Sequence, residues 1–133
     1  MQTTNNILLI RPSNFIFNAE TAGSNAFQNK PGDSDSSVNE NALNEFKAFV
    51  KKLETKGVNV TVVNDTVQPQ KPDAIFPNNW VSFHSDGTVI LYPMFAPNRR
   101  HERRLDIIDT LREKFVIKKV IDLSGHEKEN RFL

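Results

Sequence analysis

The sequence predicts a mixed α/β fold, and three observations carry that prediction. Short apolar stretches of strand length alternate with an amphipathic helical pattern. The order strand, helix, strand occurs twice along the chain. An Asp86-Gly87 turn sits between two apolar runs, as a hairpin requires, because Gly supplies a positive φ at no steric cost.

Taken in order, Ile7–Ile10 is a continuous apolar run closed by Arg11-Pro12, the pattern of a buried strand. Residues 13–35 are polar, with few periodic apolar positions, and read as a long loop that is functional or disordered. Phe15, Phe17 and Phe27 lie inside it, so part of the loop is expected to pack back on the domain. Ser37-Val38-Asn39-Glu40 fits a capping box. Leu43, Phe46, Val50 and Leu53 then recur at helical spacing, widened by Ala42 and Phe49, with Gly57 placed to stop the helix. Val58, Val60 and Val62 alternate with Asn59 and Thr61, predicting a strand with one buried face. Asn64–Lys71, with Pro69 and Pro72, is a connection.

The second half repeats the order. Strands are expected over 80–83 and 88–92, then a helix over 98–114 capped by Asn98, with Leu105, Ile108, Leu111 and Phe115 on its apolar stripe. Val116–Ile121 is the closing strand. Organisation in two units, 5–70 and 71–124, follows from this repeat.

Composition excludes several functions. The 133 residues allow one domain with an ordinary core. Hydrophobic content of 38%, charged content of 25% and a net charge of +1 describe a globular chain without the basic excess that nucleic acid or membrane surfaces call for, even counting Asn98–Arg104. No apolar run approaches the ~20 residues that span a bilayer. The polar start Met1–Asn6 and the short Ile7–Ile10 run do not make a signal peptide, so a cytoplasmic location is expected. The absence of cysteine excludes disulfides and thiolate metal sites within the chain. No HExxH, phosphate loop or Gly-x-Ser-x-Gly elbow occurs; no metal and no cofactor is expected, and His84, His101 and His126 do not read as catalytic.

Most of the special chemistry lies in 73–104, DAIFPNNWVSFHSDGTVILYPMFAPNRRHERR. This stretch resembles the guanidino-group-modifying enzymes of pentein fold: arginine deiminases, dimethylarginine dimethylaminohydrolases and amidinotransferases. Within it, FPNNWVSFHSDGTVILYPMFAPNRRHERR is most similar to the citrulline-hydrolysing, amidinotransferase-like branch. Weaker similarity covers Arg11-Pro12-Ser13-Asn14-Phe15 and Glu129-Asn130-Arg131-Phe132-Leu133.

The resemblance implies a partial α/β propeller, about two of the five ββαβ units of a pentein. It implies a hydrolase whose thiolate attacks the substrate carbon and whose histidine assists, both downstream of the matched region. On that basis the chain is expected to be an N-terminal portion that recognises substrate, inactive alone, with its Cys and His elsewhere. The implied partner is a small guanidino or ureido amino acid. Asn78 and Asn79 stand where deiminases and dimethylaminohydrolases hold carboxylates, Asp73 matches an acidic substrate contact, and Arg99 matches the arginine that holds the α-carboxylate. The loop over 13–35 is a candidate lid, with Phe15 and Asn18 on it. Read from chemistry alone, Asn78 and Asn79 could cap a local turn, and Asp73 could be a surface cap. Amides in place of acids favour a neutral ureido group, or an arginine whose charge is balanced elsewhere, with Asp73 the candidate for that charge. Arg100, Arg103 and Arg104 fit a solvated helix face with Glu102 as local partner. The alternative function is a non-catalytic binding module of the same fold, or one that self-associates as a homo-oligomer through the edge its missing units would cover.

Overall fold

The computed structural model describes residues 3–21, 23 and 35–132. The chain is mixed α/β and divides into two compact units, Thr3–Phe76 and a second from Pro77 onward.

The first unit is a strand–helix–strand. β1 (Asn6–Arg11) pairs in parallel with β2 (Asn59–Asn64), from Asn6 opposite Asn59 to Arg11 opposite Asn64. A parallel pair needs a crossover, and α1 (Asp35–Thr55) supplies it. α1 begins two residues before the capping box, so Ser37 lies inside the first turn rather than starting the helix. Its half-buried face carries Val38, Ala42, Leu43, Phe46, Val50 and Leu53, whereas Phe49 is exposed. Gly57 ends it at φ +80°, a region costly for a side-chain-bearing residue, and the Gly57 and Val58 amides donate to Glu54 and Leu53 carbonyls. The expected single buried face of β2 is not what forms. Val62 is exposed while Thr61 and Val63 are half-buried, because a two-stranded sheet covers neither face fully.

The second unit is a ββαβ arrangement. β3 (Val81–Phe83) pairs antiparallel with β4 (Thr88–Leu91), and β4 pairs in parallel with β5 (Lys119–Asp122) across the connection containing α2 (Leu105–Arg112). Gly87 turns the hairpin at φ +86°, and a Cβ there would meet the Val116 carbonyl oxygen at 3.0 Å. Trp80, Val81, Val89, Leu91, Met94 and Ala96, with Ile107, Ile108 and Leu111 of α2, are buried. Each such side chain contributes about 1.5–3 kcal/mol when fully buried, Ala less.

The single helix expected over 98–114 is broken. Pro97–Glu102 forms a 3-10 turn, Arg103 and Arg104 leave helical geometry, and α2 starts at Leu105. The turn opens on Ala96 with Pro97 in first position, so Asn98 is not its cap. The break rotates the apolar stripe: Ile107, Ile108 and Leu111 are buried, and Leu105 is 60% exposed. Phe115 also lies outside α2 and is exposed. No described helix is long and apolar enough to cross a membrane.

Candidate functional site

In the first unit, the loop after β2 is built around a buried ammonium. Lys71 Nζ donates to the Thr66 carbonyl at 3.0 Å, Thr66 Oγ1 at 2.7 Å and the Pro69 carbonyl at 2.8 Å, with Asp65 Oδ1 at 3.3 Å. Lysine has three N–H donors and no acceptor, so these oxygens saturate it without water. Asp65 is itself buried, and Ser13 Oγ donates to its other oxygen at 3.3 Å. No sequence signal marks this clamp, since Asp65 and Lys71 sit in a polar stretch that reads as a plain connection.

The clamp leads directly to Asp73. Its carboxylate accepts from Asn18 Nδ2 at 2.7 Å and from Thr21 Oγ1 at 3.3 Å. Asn18 is buried, and its amide oxygen accepts from the Glu20 backbone N–H. The candidate loop therefore reaches Asp73 through Asn18, and Asp73 is not a simple surface cap. Phe15 is half-buried, its backbone N–H donating to Asn39 Oδ1 on α1 at 2.8 Å. Phe17 is half-buried too, while Phe27 and the rest of 24–34 lie outside the described residues.

In the second unit, Asn78 and Asn79 occupy a short 3-10 turn, Pro77–Asn79, just before β3; Asn78 is exposed and Asn79 half-buried. A 3-10 turn eclipses side chains three residues apart, which sets Glu102 against Arg99 in the later turn. Arg99 Nε donates to Glu102 Oε1 and Nη2 to Oε2, both at 2.9 Å, a fork-on-fork pair. The Glu102 side chain is 1% exposed and that of Arg99 14%.

A guanidinium can only donate, so the Asn79 carboxamide presents its oxygen to it. That oxygen accepts from Arg99 Nη2 at 3.0 Å and Nη1 at 3.2 Å. The structure thus brings Asn79 and Arg99 together and adds Glu102, which the sequence marked only as a local partner.

The other arginines do not form a solvated face. Arg100 Nε donates to the Met94 carbonyl and Arg103 Nη1 to the Tyr92 carbonyl, both at 3.0 Å. Glu127, from the 3-10 turn Ser124–Glu129, accepts from Arg103 at 2.8 Å and from the Met94 N–H at 2.9 Å, with Arg100 at 3.5 Å. These residues pin the loop after β4, and Phe132 adds an edge-to-face contact with Phe95 under the Arg100 guanidinium. Arg104 pairs with the exposed Asp106, but its own side chain is half-buried too.

The histidines stay away from these clusters. Ser82 Oγ lies 3.0 Å from His84 Nε2 and 2.9 Å from the Tyr92 hydroxyl, His101 is exposed, and His126 pairs with Glu129. Among the described residues no three His, Cys, Asp or Glu side chains group as metal ligands.

Neither the curated proteins nor the solved structures yield a match to the chain. The family comparison does: residues 11–133 match the model described as N,N dimethylarginine dimethylhydrolase, eukaryotic. With nearly its whole length matched, the chain belongs to that family, one of the pentein-fold enzymes that modify guanidino groups.

Proposed function

We propose that this chain is the substrate-recognising portion of a cysteine-dependent amidinohydrolase that cleaves a C–N bond of a guanidino or ureido amino acid. Its strand–helix–strand and ββαβ units would be two of the propeller's five. The chain holds no thiol, so the nucleophile would come from sequence beyond it, and the chain alone would be inactive. In that reaction a thiolate adds to the planar carbon, and the leaving amine departs with a proton from a histidine. Water then hydrolyses the thioester-like adduct, restoring the thiol.

The observation that carries this reading is Asp73 gathered with Asn18 and Thr21. It supports a polar end to the site in which the candidate lid loop meets an acid. Asn78, Asn79 and Arg99 are the recognition residues proposed within the unit from Pro77 onward. Arg99 would reach the α-carboxylate, although it must share its Nη groups with Asn79.

The dimethylarginine in the family's description is a cation, and acids are what a cation needs. Amides at 78 and 79 instead favour a neutral ureido group such as that of citrulline. In the natural full-length protein, citrulline should therefore have the higher kcat/KM against arginine and dimethylarginine. Asn79→Asp, nearly isosteric, should move the citrulline-to-arginine ratio toward arginine by about tenfold or more. An unchanged ratio would remove Asn79 from the end-group contact, and wild-type preference for either cation would place Asp73, or an acid beyond this chain, in control of specificity.

A further inference from the structure

Glu102 is the most buried acid of the second unit, 3% exposed, yet it sits beside a candidate recognition residue rather than inside a stapled loop. A buried ion pair is weak evidence for stability, because its desolvation cost rivals its attraction. What such a pair does supply is orientation. The guanidinium is a planar fork with two usable edges. Glu102 takes the edge formed by Nε and Nη2, and the Asn79 oxygen takes the edge formed by Nη2 and Nη1. With both lone pairs of that oxygen engaged, the Asn79 amide has only its NH2 group left to offer, a pair of donors.

We infer that Glu102 is a positioning residue: acting through Arg99, it fixes the Asn79 carboxamide oxygen-inward and NH2-outward, so that this side chain selects a carbonyl acceptor. This deepens the ureido reading above and rests on it for the substrate class. A ureido oxygen accepts from the presented NH2 group. A guanidinium carries only N–H groups and meets it donor against donor. Glu102 also offsets the Arg99 charge, so the discrimination falls to hydrogen-bond polarity at Asn79.

The test uses the natural full-length protein with Glu102→Gln. This substitution keeps the side chain's shape but turns one acceptor into a donor facing Arg99. The citrulline kcat/KM should fall by about tenfold while the arginine value stays within about twofold, narrowing the ratio. Combined with Asn79→Asp, Glu102→Gln should change the ratio little further, since both act through one group. In the substrate-free protein, the Asn79 side-chain amide resonances should move while most backbone resonances do not. Equal loss on both substrates with unmoved Asn79 resonances would overturn the inference and leave Glu102 a packing residue.

Turnover of none of these substrates by the wild-type protein would defeat the functional proposal, and the Asn79 resonances would still decide the positioning. If Glu102→Gln does not fold, Arg99→Lys is the substitute. It retains a charge for Glu102 but loses the fork, and it should give the same narrowing and the same resonance shift; the absence of both would overturn the inference.

Discussion

The two units solve the same problem with different materials. From Pro77 onward, ten buried apolar side chains, Pro93 among them, from the hairpin, the following loop and α2 make a conventional core. In Thr3–Phe76, the described buried side chains are Ile10, Pro12, Pro72 and Ala74 together with Asn18, Asp65 and Lys71. Among the described residues each unit also holds a buried ion pair. Lys71–Asp65 closes on itself, its ammonium spent on carbonyls of its own loop. Arg99–Glu102 is open, because a planar fork held at one edge still serves a neighbour at the other. The difference teaches that burial of a charge does not reveal its purpose. What else the same group holds does.

The largest expected effect breaks the closed pair. Lys71→Met should destabilise the Thr3–Phe76 unit by about 3–5 kcal/mol, since it strands the Asp65 carboxylate in a buried site. Asp65→Leu added to Lys71→Met should recover much of the loss, because no charge then remains uncompensated. Thermal and urea unfolding check both. If Lys71→Met costs as little as a surface change, the clamp is not what holds the loop. As a closed pair, it should shift the melting point without altering the citrulline-to-arginine ratio of the remaining folded protein, in contrast to Glu102→Gln.

A smaller effect probes an intermediate case. Glu127 binds the Met94 N–H, Arg103 and Arg100, but its side chain and that of Arg103 are 13% exposed and that of Arg100 34%. Glu127→Gln should therefore cost about 1–2 kcal/mol, the range for hydrogen bonds to charged groups with partial access to water. Hydrogen exchange should quicken at the Met94 amide, which loses its carboxylate acceptor. An unchanged Met94 exchange rate would mean that the loop after β4 is held by Arg100 and Arg103 alone.

How far the sequence could anticipate these arrangements follows from which interactions are local. The hairpin at Asp86-Gly87 and the stop at Gly57 were legible because each depends on a single glycine at positive φ. The break in the helix expected over 98–114 was not. The Leu105, Ile108, Leu111 and Phe115 spacing looks continuous, and the interruption at Arg103–Arg104 depends on where Tyr92 and Glu127 lie in space. Asp73, Asn79 and Arg99 stood out through resemblance, but the partners that orient two of them did not. Asn18 is 55 residues from Asp73, and Glu102 read only as a local partner of Arg100, Arg103 and Arg104 on a solvated face. Long-range polar pairing leaves no period for a sequence to display.

The smallest effect separates surface carboxylates from the buried pairs. Asp86 is held below the ordinary aspartate range by the Thr88 backbone N–H. Asp106 is lowered by its hydrogen bond from Arg104, and Asp122 by the Ser124 hydroxyl and backbone N–H. A carboxyl whose folded value is depressed adds stability above its unfolded value and loses it as pH falls through the folded one. All three lie in the second unit, so that unit should lose stability on acidification below about pH 4, where unfolded aspartates begin to take up protons. After screening, Asp106 and Asp122 should contribute at most about 0.5 kcal/mol each. Melting curves of wild type and Asp106→Asn/Asp122→Asn at low and high salt would test this. The double variant should show a shallower acid limb at low salt, and the difference should shrink at high salt because these groups lie in water. A salt-insensitive difference would assign the acid limb to buried groups and remove the distinction between the second unit's surface charge and its core.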